Sequence, residues 1–170
     1  MKAEAVLAAI VAAMVAPSET QGAWSPPLRL DGSSHASEVS LAVNGTGQVG
    51  TAWVGAIDGV TVVYAAIGAR SHTLVRSRDR AVTGPRVVMS DRGEATLAWT
   101  EQRQTGGARA GPIVLRAAFR TREGWWSPVQ RVSRTSSFID AQPRLAAPQD
   151  GTVALTRNAG VGAAPGVAVA

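Results

Sequence analysis

Cysteine is absent from this 170-residue chain, tyrosine occurs once and phenylalanine twice. Without thiols there is neither a disulfide framework nor a thiolate metal site or nucleophile, so stability must come from packing. Lysine is nearly missing too: Lys2 stands alone among 17 basic residues, and the rest are arginine. That preference is what a GC-rich coding bias produces. A formal charge of +5 raises nucleic acid as a partner. The distribution argues against it, because Arg29, Arg70, Arg86, Arg103, Arg120, Arg131, Arg144 and Arg157 are spread among acids and build no dense phosphate-tracking run. The tightest group, Arg76, Arg78 and Arg80, is interrupted by Asp79 and reads as a solvated loop. His35 and His72 have no ligand partner at metal-site spacing. Phosphate loops, dinucleotide fingerprints and Gly-x-Ser-x-Gly elbows are all missing, so neither a metal nor another cofactor is expected.

What is present points to many short strands. Apolar residues make up 45% of the chain and charged residues 17%, as in globular proteins, while 18 Gly and 9 Pro imply frequent turns. The length suits one domain. Near the start, Lys2 precedes the apolar run Ala5 to Ala16, followed by the small and polar residues Pro17 to Ala23. Such a run has the length of a signal-peptide apolar region and is too short to span a bilayer. Residues 1–22 are therefore expected to be an export signal, with a secreted or surface-held product. No later stretch is apolar enough to cross a membrane.

Residues 23–170 contain a repeat of roughly 50 residues. Leu41 to Trp53, Val87 to Trp99 and Leu145 to Arg157 align without a gap, and their anchoring glycines Gly47, Gly93 and Gly151 lie 46 and 58 residues apart. The longer interval fits an insertion around Thr105 to Gly111. Each segment reads as strand, turn, strand. Before the glycine, Val39, Leu41 and Val43 correspond to Pro85, Val87 and Met89 and to Pro143, Leu145 and Ala147, alternating along one face. After it, Val49, Thr51 and Trp53 correspond to Ala95, Leu97 and Trp99 and to Val153, Leu155 and Arg157. The glycine falls where a hairpin needs positive φ, with Asn44, Asp91 and Asp150 supplying polar turn chemistry. Gly50, Ala52, Thr96 and Ala98 leave the opposite face only weakly polar, so each sheet should be covered on both sides.

A third strand follows at Val60 to Ile67 and again at Ile113 to Phe119. A fourth is marked by Trp24-Ser25-Pro26-Pro27-Leu28-Arg29-Leu30 and Trp126-Ser127-Pro128-Val129-Gln130-Arg131-Val132, while the middle copy, Arg70 to Val75, has lost Trp and Pro. Gly166-Val167-Ala168-Val169 is similar to Gly59-Val60-Thr61-Val62, the start of a third strand. The expected fold is all-β, a partial β-propeller of about two and a half four-stranded blades, its third repeat truncated. These elements resemble a group of bacterial exported repeat proteins with a Trp-Ser strand, a Gly turn and a strand ending in Trp. The resemblance covers Trp24 to the C-terminus and implies a propeller of the sialidase-like or lectin-like kind.

That resemblance frames the enzyme question. The sialidase repeat has a Ser-x-Asp-x-Gly-x-x-Trp turn, and Ser90-Asp91-Arg92-Gly93 with Trp99 departs from it: Asp91 follows Ser90 one residue early, and Trp99 lies three residues too far past Gly93. The chemistry implied by the family needs an arginine triad and a tyrosine nucleophile, yet the single tyrosine, Tyr64, lies mid-strand as a packing residue. Glu94, Glu101, Asp58 and Asp140 read as surface acids rather than a hydrolytic pair. Asn44-Gly45-Thr46 fits a glycosylation sequon but equally serves its turn. No catalytic residue is assigned.

Of the tryptophans, Trp53 and Trp99 close apolar strand faces and belong to the core. Trp24, Trp125 and Trp126 flank polar turns and prolines, and Trp125, absent from the first repeat, is the candidate ligand contact because an exposed indole stacks on sugars and anchors interfaces. The expected function is an exported, non-enzymatic recognition module for a glycan or surface-protein ligand. The alternatives are a fragment of a sialidase-like hydrolase without its active site, and a structural spacer or envelope scaffold. Because a propeller usually closes with about four to eight blades, the chain is expected either to assemble with copies of itself or to continue in a longer protein.

Overall fold

The computed structural model describes residue 30 and residues 35–135, 143–147, 153–157 and 167–169. The export signal expected at 1–22, and Trp24 to Arg29, Asp140, Asp150 and Gly151, lie outside the described residues. Among the described residues there are eleven strands and no helix. None, therefore, is a helix long and apolar enough to cross a membrane.

The strands form three antiparallel sheets. The first holds β1 (His35–Val43), β2 (Val49–Ile57), β3 (Val60–Ile67) and β4 (Arg70–Ser77) in chain order. The second repeats this order with β5 (Arg80–Met89), β6 (Ala95–Thr105), β7 (Ala108–Arg120) and β8 (Gln130–Thr135). The third joins β9 (Pro143–Ala146), β10 (Ala154–Arg157) and β11 (Val167–Val169), with β10 in the middle. Each sheet is a meander, the topology that short turns between alternating strands enforce.

Strand alternation gives the first and second sheets two apolar faces, and the sheets stack through such faces. Ala52, Val54, Val63 and Ala65 of the first sheet meet Val82, Val87, Leu97, Trp99 and Ala118 of the second. The second sheet's other face presents Ala98, Leu115 and Ala117 to Leu155, with Val132 and Leu145 packed alongside. Trp99 is fully buried. An indole of this size removes roughly 150–250 Å² from water, worth on the order of 5 kcal/mol at most. On the far side of the first sheet, Trp53, Val62, Tyr64 and Ala66 cluster with Leu30, and the Trp53 and Tyr64 rings stack at 5.1 Å. Trp53 and Trp99 thus occupy one repeat position and turn the same way, each away from the sheet that follows its own.

The repeat extends to the backbone. Both first strands carry a bulge at the same place, between Ser37 and Ser40 in β1 and between Thr83 and Arg86 in β5. Glu38 and Gly84 are equivalent there, and both have left-handed φ, +52° and +61°. The bulge bends the strand and re-aims its side chains. Glu38 compensates for a conformation it adopts less readily than glycine by accepting a hydrogen bond from the Gly84 N–H.

The insertion expected around Thr105 to Gly111 is present as a lengthening of β6 and β7 into a solvent-exposed ribbon, paired through Arg103–Ala110, Gln104–Arg109 and Thr105–Ala108 and closed by Gly106 and Gly107, both at positive φ. Three expectations are corrected. Trp126 precedes its strand: it makes an isolated bridge to Arg120, and β8 begins only at Gln130. β11 pairs Val167 with Thr156, whereas Ala52, the equivalent of Thr156, pairs with Ala65. Val167 to Val169 therefore match the end of a third strand, not its start. Finally, Val39, Leu41 and Val43 lie on an uncovered face, at 62%, 64% and 59% exposure.

Candidate functional site

In a meander the first-to-second and third-to-fourth turns emerge at the same end of a sheet. That end carries the most elaborate polar chemistry of the described residues. The turn after β1 is built by Asn44, whose Oδ1 accepts from the Thr46 and Gln48 backbone N–H groups at 3.2 and 2.8 Å and from the Thr46 hydroxyl at 2.8 Å. Gly47 supplies the left-handed φ of +78° that closes it. In the second sheet Ser90, not Asp91, takes the equivalent position, and its hydroxyl accepts from the Glu94 N–H at 3.3 Å. Asp91 reaches sideways instead, accepting from Gly45 N–H at 2.6 Å, while the Asn44 amide donates to the Ser90 carbonyl at 3.0 Å. The two turns are thereby joined. With its amide buried and used on both sides, Asn44 serves the turn rather than presenting a sequon.

Beside these turns lies the loop from β7 to β8. Thr121 N–H donates to the Trp125 carbonyl at 2.9 Å, and Gly124, at φ +99°, donates to the Thr121 carbonyl at 3.0 Å. Arg120 ties this loop to the neighbouring turn by donating to the Gly93 carbonyl at 2.8 Å. A tight, doubly bonded turn thus holds Trp125 out at 76% exposure, the largest of the exposed hydrophobic side chains among the described residues. Glu123 stands two residues away. Its carboxyl is held below the ordinary carboxylate range by its own backbone N–H first, then by the Thr121 hydroxyl, with Arg122 adding attraction. Partly against this order, Trp126 Nε1 and Arg120 Nε are buried donors with no acceptor among the described residues.

A second polar cluster lies within the second sheet and was not anticipated. Glu101 is buried, not a surface acid: Oε1 accepts from Trp99 Nε1 at 3.1 Å, and Oε2 accepts from Arg80 Nη1 at 2.9 Å and Arg116 Nε at 3.2 Å. Arg80 is correspondingly not a loop residue but the first residue of β5. The cluster follows from strand geometry, since Trp99 and Glu101 are two apart on one face and Arg116 pairs directly opposite Trp99. The sequence signal was Trp-x-Glu in one strand with arginines in its neighbours. Three donors saturate the carboxylate, and the arrangement cross-braces β5, β6 and β7 rather than offering a reacting group.

The remaining candidates separate. Tyr64 is buried under Trp53. His35 and His72 are exposed on different strands, and Asp58 sits at the β2–β3 turn with φ +50°. Glu94 accepts from the Ser90 hydroxyl at 3.0 Å. An apolar cleft of about 180 Å³ between the second and third sheets is lined by Thr96, Phe119, Gln130, Val132, Val153 and Leu155. That is below the roughly 300–1,000 Å³ of typical small-molecule pockets. Among the described residues no group of three acidic, histidine or cysteine side chains could hold a metal ion.

No protein-family model and no curated protein matches the chain. Among solved structures it is similar to an endo-arabinase from Bacteroides thetaiotaomicron, with a TM-score of 0.44 and 13% sequence identity over 79% of this chain. The matched region spans 55% of that neighbour's length.

Proposed function

We propose that the chain is an exported, non-enzymatic β-propeller-like module that recognises a carbohydrate or surface-protein ligand through the loop end bearing Trp125. Three sheets of the same meander, of which the second and third turn the same repeat face toward the preceding sheet, support the propeller reading. One observation carries the recognition reading: a large indole held in solvent by a hydrogen-bonded turn, with an oriented carboxylate at Glu123 beside it. Aromatic faces stack on sugar rings, and rigid exposed tryptophans dominate interface energetics. Among the described residues Trp53 and Trp99 are buried and Trp126 packs against a sheet, so the exposure of Trp125 costs stability that a ligand would recover. Arg80, Arg86, Arg103, Arg116 and Arg120 are engaged in ion pairs or carbonyl contacts, which speaks against a continuous basic track for nucleic acid.

Binding of the fluorescently labelled chain to a glycan array tests this directly. The expected result is binding to a restricted set of glycans, weakened at least about tenfold in Trp125→Ala, consistent with roughly 1.4 kcal/mol or more for a stacked aromatic. Binding unchanged in Trp125→Ala would place recognition elsewhere. Turnover of a fluorogenic sialoside would replace the module by a hydrolase, and silence in both assays would favour a spacer or scaffold.

A further inference from the structure

The repeat supplies an internal control for every surface position. Pro85, Val87, Met89 and Ala95 of the second sheet are buried against the first. In the third sheet Pro143 and Val153 are buried and Leu145 and Ala147 half-buried against the second. Their equivalents in the first sheet, Val39, Leu41, Val43 and Val49, are exposed at 62%, 64%, 59% and 39%. The same four positions, apolar in all three repeats, are interface in two sheets and open in one. Leu30 marks what belongs there: it packs on Trp53, Val62 and Tyr64 of the first sheet as Val132, its counterpart in the preceding fourth strand, packs with Leu155 of the third.

We infer that this face is the seat of the third sheet of a second copy of the chain. The surface that the third sheet would present is the repeat equivalent of the surfaces already seen at the internal junctions, and the side-chain sizes fit. At the first junction Met89 sits over Gly50 so closely that a Cβ on Gly50 would collide with its sulfur. The equivalent positions at the second junction are Ala147 and Thr96. Between copies they are Val43 and Ala154. Each pair trades a larger side chain for a smaller one, and each carries the same total of side-chain carbon, oxygen and sulfur atoms. Steric complementarity of this kind is what close-packed interfaces require.

Two such contacts, related by a two-fold axis, join two chains head to tail into one ring of six sheets. A ring closed by the three described sheets alone would fall below the range of about four to eight in which propellers close. The ring count rests on the propeller reading, whereas the docking face rests on burial alone, and neither depends on what Trp125 binds.

Light scattering on the size-exclusion peak of the purified chain tests both. The expected species has twice the chain mass, and Leu41→Glu, which leaves internal packing untouched, raises its dissociation constant about a hundredfold or more by burying an unpaired charge, with unchanged far-ultraviolet circular dichroism. Because the chain has no cysteine, a second readout is available: Val43→Cys and Ala154→Cys chains, mixed and oxidised, are expected to form a disulfide-linked pair that neither forms alone. A wild-type monomer at tens of micromolar overturns the docking face. A dimer indifferent to Leu41→Glu, with no mixed disulfide, does the same. Open-ended polymers that dissolve in Leu41→Glu would keep the face and overturn the closed ring.

Discussion

At the scale of single residues the structure is cross-linked by a few buried polar groups. Glu101 is the clearest. Replacing it with Gln keeps its shape but turns an amide N–H₂ toward guanidinium groups, and Arg80 is 40% exposed while Arg116 is 23% exposed. Solvent relieves part of the penalty, so urea unfolding of Glu101→Gln is expected to show a loss of about 2–3 kcal/mol, against the 3–5 of a fully buried broken pair. A change within 0.5 kcal/mol would mean that the cluster does not brace the sheet. Glu123 makes a different prediction. Its own backbone N–H and the Thr121 hydroxyl hold its folded carboxyl below the ordinary glutamate range, so the contribution it makes is present above that range and is lost as pH falls through the lowered one. In Thr121→Val one of the depressing hydrogen bonds is gone, and the side-chain carboxyl resonance followed by NMR is expected to titrate closer to the ordinary range. An unchanged midpoint would remove Thr121 from the account.

At the scale of elements, turns and sheet contacts were unequally legible. The glycine of each hairpin could be read from the alignment because only a residue tolerant of left-handed φ closes such a turn, and Gly47 and Gly93 both have it. Gly93→Ala is expected to cost about 1 kcal/mol in denaturant unfolding. The strands themselves followed from alternation. What escaped were contacts made across sheets: Asp91, which looks like a turn residue, bonds to the neighbouring turn, and no local pattern distinguishes the two uses. The lengthened β6–β7 ribbon escaped for a related reason, since polar residues around two glycines describe a loop and a protruding hairpin equally well. The size trade between Met89 and Gly50 gives the sharpest elemental prediction. Gly50→Ala alone is expected to destabilise by about 1–3 kcal/mol through overpacking, and Met89→Val in the same chain is expected to restore more than half of it. Additive losses would show that the two positions do not share one space.

At the scale of the whole molecule the organisation is a stack in which each sheet is a partner for the next. The repeat made that stack visible in the sequence, down to which face of Trp53 and Trp99 would be buried. It could not show that the first sheet's outer face stays open, because periodicity records that a strand has an apolar side and not what covers it. Trp125, the proposed ligand contact, stands out in the sequence because it departs from the repeat, and departures from a structural pattern are where side chains are free to serve something else. The Glu101 cluster, by contrast, hid among acids that looked alike. Both findings follow from the same rule that neighbouring sheets share their apolar faces, and cooperative stability is its direct consequence.

Amide hydrogen exchange, followed peptide by peptide on the purified chain, tests that rule most directly. If the first and second sheets form one packed stack, β2 and β3 are expected to exchange together with β6 and β7 up to Glu101, all at the slow limit set by global unfolding, while the ribbon from Arg103 to Gly111 exchanges fast. Loss of protection throughout the first sheet while β6 and β7 remain protected would mean that the sheets fold as independent units, and the account of a shared interface would be wrong.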